Sequence, residues 1–180
     1  ASLNNSIEYL KGVARGPLRV SVVTTAKYFM PHLLGRFLKE YPEVEPKLKF
    51  TNRATVVQRL MDNEDDFVVM GQIPPEAKLD THPFLENIIV PVAPPNHPMV
   101  GQKKIPLKKL IKERFLVREP GSGTRQVFEN LVTEHDLTIE PYMGLGSAEA
   151  IKQGVMAGLG LAALSLHSLR LEISSNKLAV

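Results

Sequence analysis

The sequence predicts an α/β protein built as two similar lobes. Three observations lead there. Short apolar strands alternate with amphipathic helices. Residues 17–71 follow a β-α-β-α-β order, the mark of a parallel sheet covered by helices. The same rhythm restarts after residue 95, without repeating the sequence.

The elements follow in order. Leu18, Val20 and Val22 alternate as a strand. A helix then carries Phe29, Met30, Leu33, Leu34, Phe37, Leu38 and Tyr41 on one face. Pro31 fits only its first turn, so the helix is expected to start just after Thr25, with Thr24 or Thr25 as its cap, and Pro42 ends it. Leu48 and Phe50 mark a second strand, and Val56 to Met61 a second helix. Phe67 to Met70 is expected as a buried strand, and Asn87 to Ala93 as another, closed by Pro94-Pro95.

In the second half, Phe115 to Val117, Tyr142 to Leu145 and Leu161 to Leu164 read as strands. Helices are expected after Ser122 or Thr124 and after Gly146-Ser147, the latter ending at Gly158 or Gly160, with a short last helix from Leu166 to Ile173. Lys103, Lys104, Lys108, Lys109, Lys112 and Arg114 interleave with apolar residues, as on a short amphipathic helix with a solvated basic face.

Composition narrows the function classes. The 180 residues are 43% hydrophobic and 23% charged, ordinary for a globular chain. The absence of cysteine excludes disulfides, thiolate nucleophiles and cysteine-ligated zinc. No apolar run reaches the ~20 residues of a membrane span, and Ala1 to Gly12 lacks a signal-peptide core. A cytoplasmic location is expected. A net charge of +3 is weak support for direct nucleic-acid binding.

No catalytic constellation stands out. There is no Gly-x-Ser-x-Gly elbow, and His32, His82, His97, His135 and His167 lack metal-ligand spacing. Neither metal nor cofactor is expected. Glu64-Asp65-Asp66 reads as a solvated loop. Gly158-Leu159-Gly160-Leu161-Ala162-Ala163 matches a dinucleotide fingerprint in letters only: it leaves a helix and enters a strand, the reverse of the required order.

Three loops share one design, leaving a strand's carboxyl end for a helix N-terminus through small or hydroxyl residues. They are Thr24-Thr25-Ala26, Glu119 to Arg125 through Gly121, Ser122, Gly123 and Thr124, and Gly146-Ser147. Unpaired N–H groups at helix starts favour anions, and glycines allow close approach. Lys27, Asn52, Arg53, Arg118 and Arg125 stand beside these loops, and convergent donors of this kind suit a phosphate or carboxylate. Plain capping by Thr24, Thr25 and Ser147, solvation of Lys27, and ion pairs of Arg118 and Arg125 with Glu119 or Glu129 are the alternatives.

Several stretches together resemble LysR-type transcriptional regulators across nearly the whole chain. Gly12-Val13-Ala14-Arg15-Gly16-Pro17-Leu18-Arg19-Val20 resembles the junction of linker helix and sensor domain. Val90-Pro91-Val92-Ala93-Pro94-Pro95-Asn96-His97-Pro98 resembles the first crossing between lobes. The run from Gly146-Ser147-Ala148-Glu149-Ala150 to Ser165 is similar to the family's most recognisable segment. Val23 to Phe29 and Val117 to Arg125 resemble the branch controlling carbon-fixation operons, the CbbR and CmpR type.

The resemblance implies two Rossmann-like lobes in a periplasmic-binding-protein-like (type 2) fold, with a ligand cleft between them. Residues 1–15 would end a linker helix, 16–93 form lobe I, 94–178 form lobe II, and 179–180 start a second crossing. Lobe I would then lack its closing segment. The implied effector is a small anionic metabolite such as ribulose 1,5-bisphosphate, 2-phosphoglycolate or NADPH. It would be held by Thr24, Thr25, Lys27, Asn52, Arg53, Arg118, Gly121, Ser122, Gly123, Thr124, Arg125, Gly146 and Ser147. Ligand binding would shift two lobe arrangements and pass this to an N-terminal DNA-binding domain, in a homodimer or homotetramer with no membrane partner. A free-standing solute-binding protein of an anion transporter is the alternative.

Overall fold

The computed structural model describes residues 14–74 and 79–180. The expected linker helix at 1–15 falls almost wholly outside the described residues. The chain divides into two compact units, Ala1–Ala77 and Lys78–Val180.

The first unit is a parallel three-stranded sheet in the order β2-β1-β3. Its strands are β1 (Gly16–Val23), β2 (Val44–Thr51) and β3 (Phe67–Val69), with helices α1 (Met30–Glu40) and α2 (Arg53–Met61) between them. Central β1 buries Val20 and Val22, which pack with Ala26 and Met30. Two expectations fail here. The chain does not enter an α-helix after Thr25: Thr24–Tyr28 form a 3-10 turn, Phe29 breaks it at φ −135°, and α1 begins at Met30. Pro31 explains this, because a helix running through from residue 25 would drive its ring into the carbonyl four residues back. Neither threonine is the cap; Val23 precedes the turn and Phe29 precedes α1, with no side-chain cap at either. Secondly, β3 is not buried. It has one strand neighbour, and Phe67 is 45% exposed.

The second unit is a four-stranded sheet in the order β4-β7-β5-β6. Its strands are β4 (Ile89–Val92), β5 (Phe115–Arg118), β6 (Met143–Leu145) and β7 (Leu161–Ser165). Its helices are α3 (Leu107–Leu110), α4 (Gly123–Glu134), α5 (Ala148–Met156) and α6 (Arg170–Ser174), with a 3-10 turn at Leu166–Ser168. Strand β5 is buried along its length and alternates cleanly. Phe115 and Val117 join Met99, Leu110, Phe128, Val132 and Leu161. Leu116 joins Val92, Ile151, Val155, Ala162, Leu164, Leu169 and Leu178.

The lobe boundary expected at 93/94 moves to 77/78. Strand β4 runs antiparallel to β7, with Val90 opposite Leu164, and so belongs to the second sheet. A short apolar run shows that a strand exists but not which sheet takes it. The basic stretch 103–114 holds a single helical turn, Leu107–Leu110. It buries Leu110 and leaves its lysines exposed. Helix α5 ends as expected: Gly158 takes φ +77°, the left-handed step that glycine makes without strain. Gly160 follows because the chain there passes against the Arg114 carbonyl, to which Leu161 N–H donates at 2.8 Å.

Candidate functional site

In each unit the candidate loops gather at the carboxyl ends of parallel strands, β1 and β2 in the first and β5 and β6 in the second. In the first, Val23 of β1 lies opposite Thr51 of β2, so Thr24 and Thr25 stand beside Asn52 and Arg53. Asn52 caps α2, its Oδ1 accepting from Thr55 N–H at 3.0 Å. Arg53 Nε donates to the Gln72 carbonyl at 2.9 Å. Lys27 Nζ lies 5.1 Å from the Tyr28 ring centroid.

In the second unit Arg118 of β5 lies opposite Leu145 of β6, which sets the Glu119–Arg125 loop beside Gly146 and Ser147. Gly121 takes φ +83°, a conformation that disfavours any side chain. Ser122 caps α4 and accepts from Arg125 N–H at 3.4 Å. Gly123 opens α4, and Thr124 behind it is buried. Ser147 caps α5, accepting from Ala150 N–H at 3.1 Å.

The two arginines are already engaged. Arg118 is 3% exposed and grips Glu119 with both edge nitrogens, Nε to Oε2 at 2.7 Å and Nη2 to Oε1 at 2.8 Å. Arg125 Nε donates to Glu129 Oε1 at 2.7 Å, and its Nη1 to the Arg118 carbonyl at 3.1 Å. The ion-pair alternative is therefore realised for both. The helix-start N–H groups beside these pairs still suit an anion.

Three further polar groupings lie outside the loops singled out in the sequence. Ser165, at the carboxyl end of β7, donates to Asn87 Oδ1 at 2.6 Å, and His167 Nε2 lies 2.7 Å from the Glu86 carbonyl. Lys152, 3% exposed, is held by the Ser168 carbonyl at 3.1 Å, by Glu172 at 2.8 Å and by Glu149 at 3.0 Å. The third corrects part of an expectation: in the Glu64-Asp65-Asp66 loop Glu64 and Asp66 are exposed, but the Asp65 side chain is not solvated. Asp65 is buried against Arg59 at 2.8 Å, Arg59 also reaches Glu64 and Ser21, and Asp66 pairs with Arg19 at 2.9 Å. Hydrogen bonds from those arginines hold both Asp65 and Asp66 below the usual carboxylate range.

Among the described residues, no group of three or more His, Asp or Glu is placed to hold a metal. No described helix is long and apolar enough to cross a membrane.

Comparison with known proteins gives a consistent picture. The family model for the LysR substrate binding domain matches residues 11–180. A RuBisCO operon transcriptional regulator from Allochromatium vinosum is 41% identical over 172 residues, covering 96% of this chain and 57% of that protein. The HTH-type transcriptional activator CmpR of Synechocystis sp. is 42% identical over 178 residues, covering 99% of this chain and 59% of that protein. The chain thus spans less than two thirds of these relatives. Among solved structures, the Synechocystis PCC6803 CcmR regulatory domain in complex with 2-PG superposes with a TM-score of 0.87 at 42% identity. That match covers 92% of this chain and 79% of that one.

Proposed function

The chain belongs to the LysR substrate-binding domain family, with its periplasmic-binding-protein-like α/β fold, and from that premise we propose that it is the effector-binding part of a transcriptional regulator of carbon-fixation genes. The observation that carries this is the likeness to the CcmR regulatory domain, a protein whose structure holds 2-PG. The loops of this chain supply the chemistry such a ligand needs. Helix-start N–H groups and hydroxyls stand at Ser122 to Thr124 and at Ser147, with guanidinium groups at Arg118 and Arg125.

The proposed effector is a small phosphorylated metabolite. Within the second unit, Arg118, Gly121 to Arg125, Gly146 and Ser147 are the residues proposed to contact it; Thr24, Thr25, Lys27, Asn52 and Arg53 form the corresponding polar edge of the first unit. The domain would bind rather than transform its ligand, passing the bound state to a DNA-binding domain in a self-associated regulator of the cytoplasm. Its matched relatives are transcriptional regulators, so the transporter alternative gives way.

Calorimetric titration with 2-phosphoglycolate, ribulose 1,5-bisphosphate and NADPH tests the reading. Saturable binding of at least one is expected. Binding of none, alongside binding of an unphosphorylated aromatic acid, would remove the carbon-fixation assignment. Turnover of a bound ligand would overturn the non-catalytic role.

A further inference from the structure

The two arginines of the second unit's anion loop are neutralised from within. Glu119 takes both edge nitrogens of Arg118, and Glu129 takes Nε of Arg125. Arg125 also donates to the Arg118 backbone carbonyl at 3.1 Å, which joins the two ion pairs through the main chain into one cluster, Glu119–Arg118–Arg125–Glu129. Its formal charge is zero. Burial differs across the cluster: the Arg118 side chain is 3% exposed, whereas Glu119 and Glu129 are 23% and 37% exposed. The cations are thus the more enclosed partners and the carboxylates the more accessible ones.

We propose that Glu119 and Glu129 are resident counter-anions that set the affinity threshold of this site, and that an effector binds by taking over their arginines. The inference rests on the phosphometabolite reading above. A buried guanidinium needs an anion at all times. In the free domain the glutamates supply it, and in the complex the effector does. The Arg125–Glu129 pair, with side chains 25% and 37% exposed, is open to solvent and individually weak, so exchange is feasible there.

The exchange favours phosphate. A simple carboxylate from solution offers the same group as the resident glutamates, which are tethered and so hold a large advantage in effective concentration. A phosphate brings nearly two charges and three strong acceptor oxygens, enough to displace them. The glutamates would therefore screen a metabolite mixture for phosphorylated members.

The test is calorimetric titration of Glu119→Gln and Glu129→Gln with 2-phosphoglycolate and with inorganic phosphate. Glutamine keeps an acceptor for each guanidinium while removing the competing charge. Each variant should bind both ligands about two- to fivefold tighter, the range that weak ion pairs support. Glu134→Gln makes the same charge change near the end of α4, outside the cluster, and should leave affinity unchanged. Unchanged or weaker binding in Glu129→Gln, whose exposed position spares the fold if Glu119→Gln does not fold, overturns the inference. Equal tightening in Glu134→Gln also overturns it, because the effect would then be one of net charge. A wild-type domain that binds neither ligand fails earlier, at the phosphometabolite reading itself, and takes this inference with it.

Discussion

Replacing Gly160 with alanine should strike the join between the two halves of the second sheet. A methyl group there would overlap the Arg114 carbonyl oxygen, lying 3.0 Å from its carbon and 3.2 Å from its Cβ. The obstacle is mostly backbone, so no rotamer change relieves it. Moving it would pull on the 2.8 Å hydrogen bond from Leu161 N–H to that carbonyl and on the pairing of Phe115 with Leu161. Overpacking a tight site costs ~1–3 kcal/mol, and a weakened buried hydrogen bond adds ~1 kcal/mol. Gly160→Ala should therefore lose about 2–4 kcal/mol, read as a lower urea midpoint with an unchanged slope. Gly154→Ala is the comparison. Its nearest obstacle, at 2.8 Å, is the movable Leu116 Cδ1, so it should lose less. If Gly160→Ala unfolds within 0.5 kcal/mol of wild type, roughly the spread of neutral substitutions, the close approach does not explain that glycine.

Other outcomes follow from the same geometry. Lys152→Ala leaves Glu172 with an uncompensated, largely buried charge and should cost about 3 kcal/mol in chemical denaturation. Arg125→Ala should weaken 2-phosphoglycolate binding by ~1.5–3 kcal/mol if its guanidinium makes a charge-assisted hydrogen bond to the ligand, and calorimetry reads this directly. Asp65 and Asp66 titrate lower in the folded chain than in the unfolded chain. Their contribution is thus complete above the unfolded value of about 4 and fades as pH falls below it. Asp65→Asn should flatten that acid loss, followed by circular dichroism between pH 5 and 2.

Much of the fold was legible because it rests on local periodicity. Alternation in Leu18-Arg19-Val20-Ser21-Val22 and the helical spacing through Leu38 mark a strand and a helix, and both elements form, although Met30 is the one buried residue of α1. What stayed hidden depended on partners far along the chain. The antiparallel pairing of Val90 with Leu164 decides which sheet β4 joins, and nothing near Val90 encodes Leu164. Phe67 to Val69 reads the same in a central strand or an edge strand; only the sheet order exposes it. The partner of Asp66, Arg19, lies far back in the chain, whereas Arg59 stands close to Asp65 in sequence but reaches it only once α2 has ended.

The loops were legible for a different reason. Caps such as Ser122 and Ser147 act within three residues, and both accept the hydrogen bond their position predicts. Thr24 and Thr25 broke the pattern because Pro31 displaced the helix they would have capped. Whether these loops hold an anion is a question of convergence in space, which spacing along the chain does not answer.

The most direct test of that convergence is a crystal structure of the domain grown with 2-phosphoglycolate. The account predicts phosphate oxygens within hydrogen-bond distance of the Ser122–Thr124 loop and of Arg125, with Glu129 turned away from that guanidinium. A ligand seated elsewhere, or an untouched Glu119–Arg118–Arg125–Glu129 cluster beside a bound ligand, would contradict it.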